Sequence, residues 1–389
     1  MSCYISSNNN RFYAATESSF GIAPAIQSKD RLPAVRLKAK QENERVERRD
    51  KTGSRTWFGL PPGMRTKTTF GLNTYMTAWS NATREPAHGT LIAAAMGAPP
   101  LLFAGGIISS VSGTHVMFGG AHGLSVGQAV SAGGEIRFVA SIPDSASIQL
   151  NVPFSATVAS GTTAGPTATY KLATNLPSVS IFDYWTPDTA VQRLISGCAV
   201  DKFSVKVNGD FHEFGFSGTA ADLVDSSSFS TGQAGLTQFP TEPGTTGFDY
   251  TIIPGHLGQA WIGSVPTRFF TLTTASVQVE NAVDLRAHEF GSNTARCFSA
   301  GIRKVTADIT VFANDEDDTK SLYQAARQFS PVSVMLQLGD RAQQLFGVYL
   351  RAVVPVVPDF DDSETRLQWT FKGSRAQGVS DDEIIVAFA

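Results

Sequence analysis

The sequence predicts a mainly β protein: two tandem β-sandwich domains, each with one flanking helix, and a small inserted β-module. Three observations carry this. Phe (26) and Gly (35) are abundant, with frequent Ser, Thr and β-branched residues, a composition of short strands and turns. The stretch Gly197–Gly218 reads as two alternating strands around Asn208-Gly209, a strong short-range hairpin signal. The third observation is internal repetition, which decides fold where it occurs. At 42% hydrophobic and 17% charged residues, the 389-residue chain is globular and long enough for two ordinary domains.

Taken in order, the repeat begins with strand, long loop and strand. Gly53-Ser54, Gly63 and Arg65 recur as Gly291-Ser292, Gly301 and Arg303 at one offset of 238, and each copy then enters a strand, "RTKTTFGLNTYM" or "RKVTADITVF". A helix candidate follows each. Leu91, Ala94, Ala95 and Pro100 match Leu322, Ala325, Ala326 and Pro331 at an offset of 231; Asp or Thr before the apolar run and Pro after it are start and stop signals. Further strands follow, and Phe216 and Gly218 match Phe371 and Gly373. The first copy carries an excess between its helix and these strands. There "THVMF", "QAVSAG", "EIRFVASI" and "SIQLNVPF" are punctuated by Gly and Ser, as a small β-module inserted at a surface loop would be. Between the copies, "DSSSFSTGQAGLTQFPTEPGTTG" reads as a linker or arm. The expected boundaries are 1–102 with 176–225 for the first domain, 103–175 for the module, 226–265 for the linker and 266–389 for the second domain.

With a two-residue turn at Asn208-Gly209, Val205 faces His212 and Phe203 faces Phe214. Phe203, Val205, Val207, His212, Phe214 and Phe216 then share the core face. This register keeps Cys198 away from His212, and a Cys–His dyad needs hydrogen-bond reach. His212 aligns with Leu367 in the other copy, so the position asks for packing. The six His and three Cys (Cys3, Cys198 and Cys297) show no zinc spacing. Neither "GGIISSVSG" nor "GGAHGLSVG" fits a phosphate-cradling or dinucleotide loop. Catalytic residues, cofactor and metal are therefore all expected to be absent. A glycosidase would need two carboxylates at a defined separation, and nothing selects a pair. The odd, scattered cysteines argue against a disulfide framework and for a reducing compartment of synthesis. The N-terminus lacks a secretory pattern, and no apolar run is long enough to span a bilayer.

Charge is divided unevenly. Residues 1–70 hold 13 Lys and Arg against 6 Asp and Glu, while the remainder holds 18 against 28. A basic end and an acidic body suit nucleic-acid binding or head-to-tail self-association. The most unusual segment, Lys38–Gly63, reads as a strand running into a long hairpin tip. Its Trp57 and Phe58 stand amid Arg48, Arg49, Lys51 and Arg55, a mixture suited to a protein interface or to nucleic acid. Two acidic stretches, "NDEDDTK" and "PDFDDSE", lack the Gly and distal Glu of a calcium loop. The first leads into a helix N-terminus, where the dipole favours acids.

The stretches "RFYAATESSFGIAPA", "RLPAVRLKAKQENERVERRDKTGSRT", "GCAVDKFSVKVNGDFHEFGFSG" and "FTLTTASVQVENAVDLRAHEFGSNTARCFSAGIRKVTADITVF" together resemble the tail tube protein (major tail protein) of long, non-contractile-tailed bacteriophages. The resemblance covers most of the chain outside the module. It implies tail-tube-type sandwiches that form rings, and rings that stack into a hollow tube. Double-stranded DNA passes through such a tube without specific binding, along a typically acidic lumen. A duplicated chain builds a pseudo-sixfold ring from three copies, with the module outside. The implied partners are the chain itself, tape measure, tip initiator and terminator proteins, with no membrane; the implied location is the virion tail, assembled in the host cytoplasm. On this reading Arg48, Arg49, Asp50, Lys51, Arg55 and Trp57 form an inter-ring contact loop. Asp315, Glu316, Asp317 and Asp318 form an acidic lumen or loop. The alternative is a β-rich surface adhesin or carbohydrate-binding protein, suggested by the Gly/Ser-rich module.

Overall fold

A computed structural model describes residues 4–43, 50–57, 59, 64–79, 85–244, 251–314, 317–363 and 365–389. The first half opens with strands β1 (Asn10–Thr16), β2 (Arg31–Leu32), β3 (Ala34–Asn43) and β4 (Thr66–Tyr75), then helix α1 (Gly89–Met96) and β5 (Leu101–Phe103). Six strands follow: β6 (Gly106–Ser112), β7 (His115–Phe118), β8 (Ala129–Ala132), β9 (Glu135–Asp144), β10 (Ser147–Leu150) and β11 (Thr163–Ala164). The half ends with β12 (Thr167–Lys171), β13 (Val179–Trp185), β14 (Arg193–Val207), β15 (Glu213–Ala220) and β16 (Asp222–Asp225). The second half runs β17 (Gly258–Gly263), β18 (Thr267–Arg268), β19 (Leu272–Glu280), β20 (Asp284–Leu285), β21 (Phe298–Ser299), β22 (Lys304–Phe312) and α2 (Asp317–Gln328). It closes with β23 (Val332–Leu338), β24 (Phe346–Val354), β25 (Asp359–Asp361), β26 (Gln368–Ala376) and β27 (Ile385–Phe388). The protein is mainly β, with large antiparallel sheets and these two helices among the described residues.

Two layers enclose the main core. The first is one antiparallel sheet in the order β3-β4-β15-β14-β19-β22-β26-β25. Its strands alternate: Thr68, Phe70, Leu72 and Thr74 of β4 are buried, as are Val305, Ala307, Ile309 and Val311 of β22, while the residues between them are not. Such a period of two belongs to a sheet with one solvated face. The second layer holds β2-β1-β13-β14-β16 on one side and β18-β17-β23-β24-β27-β12-β5 on the other. Its strands do not alternate: "VSIFDY" and "VMLQL" are mostly apolar and buried throughout, because both faces are covered. Over the first half the cover is the arm after β16: Phe229, Leu236 and Phe239 pack on Tyr13, Phe182 and Leu194. Over the second half it is the inserted module, where Ile136, Phe138 and Val152 meet Trp261, Met335 and Ile385.

The two halves repeat one ladder plan. Pairs β1–β2, β1–β13, β13–β14 and β14–β16 recur as β17–β18, β17–β23, β23–β24 and β24–β27. Pairs β15–β4 and β4–β3 recur as β26–β22 and β22–β19. β14 crosses from one layer to the other at a bulge between Val200 and Lys202. Gly218 lies opposite, and a Cβ there would stand 2.0 Å from the Ala199 carbonyl; only glycine admits that approach. The second half makes the same corner by breaking the strand. Pro355 and Pro358 separate β24 from β25, since proline has no N–H for the ladder.

Several expectations change. The hairpin register is Val205↔Phe214 and Phe203↔Phe216, two residues from the two-residue turn. The connection is longer because it is held from outside: Asn208 donates to the Thr273 carbonyl, Phe211 bridges Pro254, and Gly255 N–H donates to the Asp210 carbonyl at 3.1 Å. An even slip preserves the faces, so Phe203, Val205, His212, Phe214 and Phe216 are still buried. The offset of 238 holds from β3 to β19, where Lys38 aligns with Ser276, and falls to 237 from β4 to β22, since Leu72 and Ile309 face Phe216 and Phe371. A bulge in the β22–β26 pairing places Ser374, not Gly373, opposite Ala307 as Gly218 is opposite Phe70. The linker expected over 226–265 is shorter, because β17 already pairs as β1 does. The module's own sheet spans 106–164, inside the expected 103–175; β12 instead joins β27 and β5.

Aromatic packing ties the halves together. Phe214 lies 4.8 Å from Phe346, whose ring is 4.8 Å from Phe388, and such pairs contribute about 1 kcal/mol each beyond area burial. His88, just before α1, is packed edge-on to Phe214 and parallel to Phe388, with Nε2 3.1 Å from the Tyr75 carbonyl. Burial pulls its pKa down to about 4. The unfolded chain therefore takes up a proton near pH 6.5 that the folded chain refuses until about pH 4. Stability present above pH 6.5 is lost as pH falls through that window, by roughly 3 kcal/mol. Denaturant titrations from pH 7 to 4.5 should show a steeper decline for the native chain than for His88→Gln. Parallel declines would contradict the assignment.

Candidate assembly interface

Among the described residues no group of three or more His, Cys, Asp or Glu is placed to hold a metal ion. Burial, and then the Glu17 charge, push the Cys198 thiol well up, which leaves it a poor nucleophile. His212 is buried with Nε2 2.9 Å from the Leu257 carbonyl, a packing role. The feature that stands out is how the repeats meet.

β14 of the first repeat pairs with β19 of the second from Lys202↔Glu280 to Val207↔Ala275, so the long layer runs unbroken from one repeat into the next. Val205 and Val277 face the core, and Lys202 Nζ reaches Glu280 at 2.8 Å on the open face. Asn281, 2% exposed, is the clasp. Its side-chain amide donates to the Ala95 carbonyl of α1 at 2.9 Å and to the Val200 carbonyl at 3.1 Å. The first bond serves a carbonyl in the last turn of α1, which has no acceptor role left within the helix. Asp201 then receives the Asn281 and Val283 N–H groups. α1, covered in this way, has every residue from Leu91 to Met96 buried.

At the ends of the long layer the same strands stand open among the described residues. β3, the counterpart of β19, is an edge whose Arg36, Lys38 and Lys40 project from the open face while Leu37 and Ala39 pack inward. β25, the counterpart of the second half of β14, is the opposite edge. It exposes Asp359 and Asp361, and its Phe360 turns inward onto Trp369 at 5.2 Å and Tyr323 of α2 at 6.0 Å. Hydrogen bonds from Ser363 hold the Asp361 carboxyl below its usual range, so it is ionised at neutral pH. α2, unlike α1, is buried on one side alone, through Thr319, Leu322, Ala325 and Ala326.

Arg48 and Arg49 lie outside the described residues; Asp50, Lys51, Arg55 and Trp57 are exposed, Trp57 at 74%. The base of their loop leans on the matching loop of the second repeat: Thr66 N–H donates to the Asn293 carbonyl at 2.9 Å, and Arg65 approaches His288 at 3.3 Å. Both loops thus emerge together. Asp315 and Glu316 also lie outside the described residues. Asp317 and Asp318 occupy the first turn of α2, where the helix dipole favours them, rather than the open face of the sheet. That face carries both signs: Lys67, Lys304, Lys372 and Asp308 are on it, and Lys202–Glu280 and Lys206–Glu213 are paired across strands. Of the residues expected in an acidic lumen or loop, Asp317 and Asp318 are thus at the start of a helix; on the open face of the sheet the strand period puts mixed charges. Asn281 and β25 were missed by sequence reasoning. The available signals were Glu42-Asn43 ending one strand as Glu280-Asn281 ends its counterpart, and the acids of "PDFDDSE". No protein-family model and no curated protein sequence matches the chain.

Proposed function

We propose that the chain is a structural subunit that joins edge to edge into rings, which stack into a hollow tube of the kind that phage tail tube proteins build. The observation carrying this reading is the β14–β19 junction: one repeat already docks on another through sheet edges, and the terminal edges are the same strands left open. A heterologous contact of this type repeats until it closes a ring or grows a filament. Two repeats per chain make three chains the natural count for a pseudo-sixfold ring.

On this reading the open face of the long sheet lines the lumen. Lys202–Glu280 and Lys206–Glu213 cancel on it, and the positive excess of Lys67, Lys304 and Lys372 over Asp308 attracts a phosphate backbone without reading bases, so DNA passes without specific binding. The arm and the module cover the opposite layer and face outward. The loop holding Lys51, Arg55 and Trp57 supplies contacts between rings, and tape measure, tip initiator and terminator proteins meet the tube at its lumen and ends. The place of action is a virion tail.

The test is negative-stain electron microscopy with sedimentation of the purified chain, with and without a tip initiator. Hollow tubes, or rings of three chains, are the expected result. Monomers at high concentration under both conditions would overturn the proposal, and rings of six chains would overturn the threefold count alone.

A further inference from the structure

We infer that β25 of one chain pairs with β3 of a second copy in the register of β14–β19, read by charge and clasped by Asn43. The inference rests on the edge-to-edge reading above and adds its residue code. The β14–β15 and β25–β26 pairings align Ser204, Val205 and Lys206 with Asp359, Phe360 and Asp361. The β3–β4 and β19–β22 pairings align Lys38, Ala39, Lys40 and Asn43 with Ser276, Val277, Gln278 and Asn281. Within the chain, Ser204 faces Gln278, Val205 faces Val277 and Lys206 faces Ser276. The equivalent contact between chains sets Asp359 opposite Lys40, Phe360 opposite Ala39 and Asp361 opposite Lys38.

Faces and charges agree with this register. Phe360 and Ala39 are both on the core side of their sheets, and the Asp and Lys residues are both on the open side. Opposite charges directly across strands stabilise the pair, and like charges oppose it. β3 against β3 would set Lys on Lys, and β25 against β25 would set Asp on Asp. Both symmetric pairings are penalised, which protects two open edges and leaves the head-to-tail contact that propagates.

Asn43 supplies the second, independent observation. Its counterpart Asn281 is buried and donates to the Ala95 carbonyl, yet Asn43 is exposed at the open edge. Ala95 corresponds to Ala326 in the last turn of α2, the helix whose far side is uncovered. Ala326 is buried within its own chain and its carbonyl already accepts the Phe329 N–H at 3.4 Å, so the Asn43 amide is placed to meet the exposed end of that last turn, at Arg327 and Gln328 of the neighbouring chain.

The test pairs charge swaps with cross-linking in the full chain. Lys38→Asp with Lys40→Asp, or Asp359→Lys with Asp361→Lys, should each leave the monomer's melting curve unchanged and weaken assembly tenfold or more. Combining all four should restore it. Asn43→Ala should weaken assembly by about tenfold with the monomer intact. In a Cys3→Ser, Cys297→Ser background, Lys40→Cys chains mixed with Asp359→Cys chains should form disulfide-linked dimers. Rings that form without rescue or cross-linking would overturn this register and leave the ring proposal standing. Cross-linked, charge-dependent chains that never close would support the register and overturn the ring. Absence of both rings and cross-links would overturn both.

Discussion

Replacing Arg137 with alanine is expected to cost about 3–5 kcal/mol of folding stability. Arg137 is fully buried where the module meets the second repeat. It forms an ion pair with Glu135 and donates to the Pro153 carbonyl at 2.8 Å and to Gln337 Oε1 at 2.9 Å. Its guanidinium lies over the rings of Trp261 at 5.3 Å and Phe154 at 5.6 Å. Burial pulls its pKa down to about 10 while the Glu135 charge raises it, so the cation persists at neutral pH. Alanine would leave the Glu135 carboxylate buried beside a cavity with its charge uncompensated. Removing both partners removes that penalty, so Glu135→Gln with Arg137→Met should lose less than Arg137→Ala. Denaturant unfolding of the variants decides it: a single variant within 1 kcal/mol of the native chain would show that the module does not depend on this contact.

Glu17 should matter on a similar scale. Its carboxylate, 8% exposed, accepts four hydrogen bonds, from Gly21 N–H at 2.8 Å, Gly197 N–H at 2.7 Å, Ser178 Oγ at 2.7 Å and Ser180 Oγ at 2.6 Å. Gly197 has φ 63, and a Cβ there would meet Ala221 at 2.6 Å, so only glycine fits the turn that presents this N–H. Glu17→Ala orphans one buried and one part-buried N–H group and should cost about 3 kcal/mol. Glu17→Gln keeps the shape but turns one acceptor into a donor. The serines can rotate, but one backbone N–H then faces an amide N–H, at about 2 kcal/mol. Melting temperatures ordered native, Gln, Ala are the expected result. A Gln variant as stable as the native chain would mean that the carboxylate's second oxygen is dispensable.

Both sites lie where a β-sheet needs local help. Arg137 is a buried charge where the module meets the sheet, beside the hydrogen bonds that Gln337 makes with Ile136 N–H and the Gly134 carbonyl. Glu17 ties the turn after β1 to the start of the ladder between β13 and β14. Neither was flagged by the sequence, because each draws its partners from segments far away in the chain.

The parts readable from sequence were those with local causes. Phe203, Val205, Phe214 and Phe216 share a face by period two. The helices at 89–96 and 317–328 lie where apolar spacing and following prolines put them. The order of strand, loop, strand, helix and strands could be read twice, because each unit carries its own pattern. What the sequence did not decide was every quantity set by a distant partner. The turn at Asn208-Gly209 lengthened because Thr273 and Pro254 hold it. The repeat offset moved by one residue because pairing with β26 decides which side of β22 faces the core. The acidic stretches traded roles: "NDEDDTK" begins a helix, while "PDFDDSE" holds an edge strand. Asn43 and Asn281 each follow a Glu in sequence, and only the fold buries one and exposes the other. A side chain's periodicity is a property of its own strand, whereas its burial and its pairing depend on which other strand arrives beside it.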